Sequence, residues 1–262
     1  MAEAGKHFRG VAVDVGNSAI HCGWFDGSAA TELPQPNAVL CMRNGNFDTA
    51  QLDDWFAAHA REATTWRIAS VNQNAADELV VWLRGQTAKH RLRRISHHDC
   101  PLPINVQHPE KGGIDRLMAA TAARHLAAGQ AAIVIDAGTA ITVDLLTDGA
   151  FQGGAILPGM RMSAAALDRY TDKLPLVDTT HLDSPDVVGR DTHQAMQSGL
   201  FWGMVGAVKE LTHRLGEGPH FPPHIFLTGG EGPALAPHID GVEIVPNLVL
   251  RGIALVEEPS DA

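Results

Sequence analysis

Apolar and polar positions along this chain switch between a period of two and a period of three to four, and the same order of switches occurs twice. Val11 to Val15 is a short β-branched run interrupted by Asp14 and followed by Gly16-Asn17-Ser18. Such a run reads as a strand entering a tight turn. Ala19 to Phe25 reads as the returning strand, with Asp26-Gly27 as a hairpin signal. Leu52, Trp55 and Phe56 predict a helix over Asp48 to Arg61, and Thr65 to Val71 predicts a strand. Leu79, Val80 and Leu83 give a helix over Ala75 to Thr87. A loop rich in His and Pro then leads to Gly112-Gly113. Beyond it, Asp115 to Ala128 is an Ala-rich helix closed by Gly129.

The second half repeats the opening. VAVDVGNSAIHCGWFDG at 11–27 aligns with IVIDAGTAITVDLLTDG at 133–149 without a gap, at an offset of 122 residues. Only four of the 17 positions are identical: Asp14/Asp136, Gly16/Gly138, Asp26/Asp148 and Gly27/Gly149. The shared order of apolar strand, Asp, Gly, small polar residue, second strand and Asp-Gly turn is the stronger sign of an internal duplication. Ala131 to Asp136 and Ala150 to Leu157 are strands, giving an antiparallel meander in this half. Helices follow at Met162 to Tyr170 and Asp191 to Leu215, then a strand at His224 to Leu227 and a closing helix at Leu248 to Val256. Two α/β halves with a cleft between them are the expected architecture. The boundary is placed at 112/113, with the helix 115–128 linking into the second half.

Composition narrows the classes. The 262 residues are 45% hydrophobic and 19% charged, with a net charge of −10. That acidity argues against a nucleic-acid binder, and any anionic ligand must be held by local features. The apolar stretch Ser198 to Val208 is 11 residues long, too short to span a bilayer. Asp14 breaks the N-terminal apolar run, so no secretory signal is expected. Cys22, Cys41 and Cys100 form no CxxC and read as reduced thiols, pointing to a cytoplasmic protein.

Chemistry concentrates in four glycine-bearing turns: 14–18, 112–116, 136–139 and 228–230. Glycine lets the backbone approach a phosphate, and turn amides can point at its oxygens. Asp14 and Asp136 cannot hold phosphate themselves but can hold a cation that does. Each could instead cap its own turn; two matched copies favour the cation reading. No P-loop, GxGxxG, HExxH or paired CxxC is present. His97-His98-Asp99-Cys100 carries metal-ligand residue types, but adjacent side chains point apart, so it reads as a polar loop. Asp115-Arg116 follows two glycines at a helix start, where a carboxylate is stabilised and the arginine can bind an anion. A simple N-cap is the alternative.

In combination, DVGNS at 14–18, GIDR at 113–116, IDAGTAITVD at 135–144, FQGGAILPG at 151–159, TDKLP at 171–175, VVGRDTHQAMQSG at 187–199 and TGG at 228–230 resemble the type III pantothenate kinases. The resemblance runs from Val11 to about Ala254. It implies an α/β, duplicated actin-like (ribonuclease H-like) two-domain fold with an ATP cleft between the halves. It also implies ATP-dependent phosphorylation of pantothenate, the first step of coenzyme A biosynthesis, by a homodimer.

Carried over by residue, the turn Asp14, Val15, Gly16, Asn17, Ser18, Ala19, Ile20 and His21 would cradle the phosphates, with Asp14 helping to place Mg²⁺. Thr139 would contact ATP. Asp136 would ligate a monovalent cation, K⁺ or NH₄⁺. Asp115 would be the general base. Gly113, Ile114, Arg116 and Thr192 would hold pantothenate, Arg116 through its carboxylate. Two departures stand out: Ser18 replaces the commoner threonine, and Val106 stands where a tyrosine often faces pantothenate. The apolar helix face from Ser198 to Leu211 is either core or a dimer interface. A kinase of another small hydroxy acid and a non-catalytic ATP-binding regulator are the rival readings.

Overall fold

The computed structural model describes residues 8–28, 33–45, 49–60, 64–86, 90–180, 182–218 and 222–258. The elements run β1 (Arg9–Val15), β2 (Ala19–Asp26), β3 (Ala38–Arg43), α1 (Thr49–His59), β4 (Thr65–Ser70), α2 (Gln73–Gly85), β5 (Arg91–Arg94) and α3 (Ile114–Leu126). There follow β6 (Ala132–Ala137), β7 (Ala140–Thr147), β8 (Ala150–Pro158), α4 (Met160–Tyr170), α5 (Thr192–Gly216), β9 (His224–Thr228), α6 (Gly232–Leu235), β10 (Val242–Ile244) and α7 (Leu248–Ala254). The expected helix flanks Asp48, Arg61 and Thr87 lie outside the described residues.

The chain forms two compact units. One comprises 1–129 with 247–262, the other 130–246. Each holds a five-stranded sheet, ordered β3-β2-β1-β4-β5 in the first and β10-β9-β6-β7-β8 in the second. The two orders are the same topology: an antiparallel meander of three strands, with two further strands added parallel to the first of them. Burial repeats as well. β2 and β7 share the same alternation over their first seven residues, and Asp14 and Asp136 are each the half-buried, next-to-last residue of their strand.

Three details differ from the sequence reading. The units do not divide at 112/113, because α3 packs against α7, and α7 lies on β1, β2 and β4 of the first sheet. The gapless repeat holds only as far as the turn. Val15 pairs with Ile20 but Ala137 pairs with Ile141, so the first turn is one residue longer. The two Asp-Gly pairs also behave differently. Asp148 (φ 53°) and Gly149 (φ 70°) form the tight β7–β8 turn, whereas Asp26-Gly27 opens a longer connection to β3 at Ala38.

The strands β3, β5 and β10 are not among the expected elements. β5 is Arg-Leu-Arg-Arg and β10 only three residues, so neither carries a hydrophobic pattern of its own. Parallel pairing with β4 and β9 makes them strands. α2 is capped by Asn72, whose Oδ1 accepts from Ala75 N (3.2 Å), and α5 by Asp191, which accepts from Gln194 N (2.8 Å).

The core of the first unit gathers Val11, Val13, Ile20, Trp66, Ile68 and Leu79 between sheet and helices. That of the second gathers Ile133, Ile135, Val143, Phe201, Met204 and Val208. The apolar face of α5 is therefore core: Phe201 and Val208 are fully buried within their own unit, each worth about 1.5–3 kcal/mol of burial. Buried Arg67 donates to the Ala254 (3.0 Å) and Ile253 (3.4 Å) carbonyls and pairs with Glu258 (3.0 Å). This fastens the last helix to β4.

Candidate active site

In the first unit the β1–β2 turn follows a strand that is buried from Gly10 to Val15 except for half-buried Asp14. Asp14 lies opposite His21 in the strand register, with Asp14 Oδ2 3.8 Å from His21 Nδ1. Burial lowers the His21 pKa below its ordinary value, favouring the neutral ring. Gly16 N donates to Ala19 O (2.9 Å), closing the base of the turn around Asn17 and Ser18. Asn44, just past β3, donates its backbone N to Ser18 O (2.9 Å) and its Nδ2 to Gly16 O (2.7 Å). Sequence reasoning missed this residue; the Asn44-Gly45 pair after β3 was the available turn signal.

Behind the turn, the Cys22 thiol is pushed up to about 12, first by burial and then by its neighbours Cys41 and Asp14. It is packing rather than a nucleophile. Cys22, Cys41 and Cys100 are all free.

The same unit carries the second cluster. Gly112 N donates to Pro109 O (3.2 Å), closing a 3₁₀ turn over Pro109–Lys111, and Gly113 is the extended N-cap of α3. Asp115 is in the first turn of α3, and its Oδ1 accepts from Arg116 N (2.8 Å). A Cβ on Gly113 would collide with that oxygen. The bare Gly113 leaves room for the carboxylate where it stands. Asp115, Arg116 and Gly113 are all half-buried, Ile114 is buried and Val106 is half-buried in the preceding loop.

In the second unit Asp136 lies between Thr142 of β7 and Thr228 of β9 in register. A Cβ at Gly229 would lie 2.6 Å from Asp136 Oδ1, so the Thr228-Gly229-Gly230 turn sits directly against Asp136. Thr139 follows Gly138 in the β6–β7 turn, and its carbonyl accepts from Gly159 N (3.1 Å). Glu231 joins this group unforeseen. Its N donates to Ala137 O (2.9 Å), and its Oε2 accepts from Met160 N (3.4 Å) at the start of α4. Burial raises the Glu231 pKa, against the opposing Met160 amide and Arg161. Its place directly after TGG was the signal for it. Thr192 is exposed on the first turn of α5 in this unit.

Asp14 with its turn and Asp115 with Arg116 thus share one unit, and Asp136 and Thr139 share the other. Among the described residues no group of three or more His, Cys, Asp or Glu could hold a metal ion. The Asp carboxylate at each matched turn suits an ion that takes its remaining oxygens from phosphates and water.

A twice-used meander, with Asp as the next-to-last residue of its first strand and a glycine turn after it, is the actin-like fold. Solved structures share the fold. A Campylobacter jejuni protein described as a Baf family transcriptional activator gives a TM-score of 0.59 at 20% identity, covering 94% of this chain and 96% of that one. The ethanolamine utilization protein EutJ of Carboxydothermus hydrogenoformans gives 0.55 at 14%, covering 95% and 89%. Within that class, the family model for type III pantothenate kinase matches residues 10–214. The type III pantothenate kinase of Rhodopirellula baltica is 36% identical over 93% of this chain and 96% of its own. That of Zymomonas mobilis is 33% identical over 74% and 83%. This chain belongs to the type III pantothenate kinase family, and it is a kinase.

Proposed function

We propose that this chain transfers the γ-phosphoryl group of ATP to the primary hydroxyl of pantothenate, giving 4'-phosphopantothenate and ADP. Membership of the family supports the reaction. The observation that carries the chemistry is the Asp115 carboxylate at the first turn of α3, with Gly113 shaped to admit it. The pantothenate hydroxyl oxygen attacks the γ-phosphorus, the bond to the β–γ bridging oxygen breaks, and the hydroxyl proton passes to Asp115. Such transfers depend on positioning and charge neutralisation more than on covalent chemistry.

Arg116 would pair with the pantothenate carboxylate, and Gly113, Ile114, Val106 and Thr192 would hold the remainder. The 14–21 turn and Thr139 would contact ATP. Asp14 would help hold Mg²⁺, and Asp136 the K⁺ or NH₄⁺ ion. When bound, these cations neutralise phosphate charge. The acidic chain has no need of a basic field if its matched carboxylates recruit them.

The proposal extends to a homodimer in the cytoplasm. Support for the dimer comes from large apolar side chains exposed in the second unit, among them Ile156, Tyr170, Leu176, Val187 and Val188. Free cysteines accord with a reducing compartment, and no helix among the described residues is long and apolar enough to cross a membrane.

The test is an ATP-consumption screen of pantothenate beside other small hydroxy acids. Turnover with pantothenate at least tenfold above any rival is the expected outcome. Faster turnover of another acid would transfer the assignment to that substrate.

A further inference from the structure

We propose that Asn44 is a positioning residue for ATP: it aims the backbone amides of the β1–β2 turn. The inference rests on the phosphate-holding role proposed for that turn. Asn44 takes two of the turn's carbonyls at once, Ser18 O through its backbone N (2.9 Å) and Gly16 O through its Nδ2 (2.7 Å). In a planar trans peptide the C=O and the following N–H point in opposite directions. Drawing these two carbonyls toward Asn44 therefore turns the N–H groups of Asn17 and Ala19 away from it. Amides turned to one side of a glycine turn make a concavity for anions.

The second unit supports this independently. There the residue just past the third meander strand is Gly159, which also donates its N to a turn carbonyl, Thr139 O (3.1 Å). A Cβ on Gly159 would lie 2.5 Å from Gly138 O, so Gly159 packs directly against the second carbonyl. The first turn is one residue longer, and at the matching place it has an amide side chain that reaches Gly16 O. The Asn44 side chain spans the gap that the extra residue opens. Its Oδ1 is buried with no partner among the described residues. An orphaned acceptor is unfavourable, which makes an amide a poor space-filler here and a suitable carbonyl clamp.

The experiment compares wild type with Asn44→Leu, similar in size but without the donor, and with Asn44→Gln, which restores an amide. In Asn44→Leu, KM for ATP should rise about tenfold, the factor that about 1.4 kcal/mol supplies. Its kcat, its KM for pantothenate and its nucleotide-free melting temperature should change little, and Asn44→Gln should recover part of the ATP effect. An unchanged KM for ATP overturns the inference. So does an equal loss toward both substrates accompanied by a lower melting temperature.

Should Asn44→Leu not fold, Asn44→Ser serves the same comparison. Hydrogen exchange of the wild type with a non-hydrolysable ATP analogue separates the two readings. Without slowing at residues 17–19, the phosphate turn fails and this inference with it. With slowing in wild type but an unchanged KM for ATP in the variant, only the role of Asn44 fails.

Discussion

Asp115 shows how much one side chain depends on its neighbours in sequence. Its Oδ1 is tied to the Arg116 amide, and the absence of a side chain at Gly113 gives it room. Replacing Asp115 by Asn keeps the shape and removes the carboxylate proposed as the proton acceptor. Turnover should fall by about 10²–10⁴-fold, the usual worth of a positioned base, while affinity for an ATP analogue stays within about twofold. Near-normal turnover would remove Asp115 as the base. This residue was legible in sequence, because Gly-Gly-Ile-Asp-Arg before an Ala-rich helix encodes its own local geometry. For Glu231 and Asn44 a neighbouring turn signal was present, but not the contact each makes. Each acts on a turn far away in sequence, 94 residues from Ala137 to Glu231 and 28 from Gly16 to Asn44, and only sheet pairing brings them there.

At the scale of elements, hydrophobic periodicity placed β1, β2, β4, β6–β9 and the long helices to within a few residues. It failed where a strand is defined by its partner, as in β5 and β10. It was equally silent on which element packs on which. α7 is buried throughout, and its Gly252 lies against the Met118 carbonyl of α3, where a Cβ would overlap that backbone. Gly252→Ala should therefore force the two helices apart. A loss of about 1–3 kcal/mol, the usual range for overpacking, is the expected result in chemical denaturation. A neutral effect would mean that α3 and α7 can separate freely. The same contact places the C-terminal helix in the first unit, a pairing that no local pattern encodes.

For the whole molecule, the notable fact is that an acidic chain of net charge −10 carries two copies of an Asp-plus-glycine turn. If Asp136 holds a monovalent cation, activity in sodium-only buffer should be low and should return at least tenfold with potassium or ammonium. Asp136→Asn should lose that response while the chain still folds, as circular dichroism would verify. Equal activity in all three salts would sink the assignment of Asp136, without touching that of Asp115.

The long helices, the strands with a pattern of their own, the duplication, the acidic turns and the helix-start Asp115 follow from the sequence alone, because each is written in neighbouring residues: period, turn chemistry and cap. The tertiary structure decided the division into units, the one-residue difference between the two turns, the burial of the α5 face and the placement of Asn44 and Glu231. Those depend on strand register and on which surfaces meet. Such pairings join residues far apart in the chain, and they are selected by the burial they achieve together rather than by any local preference.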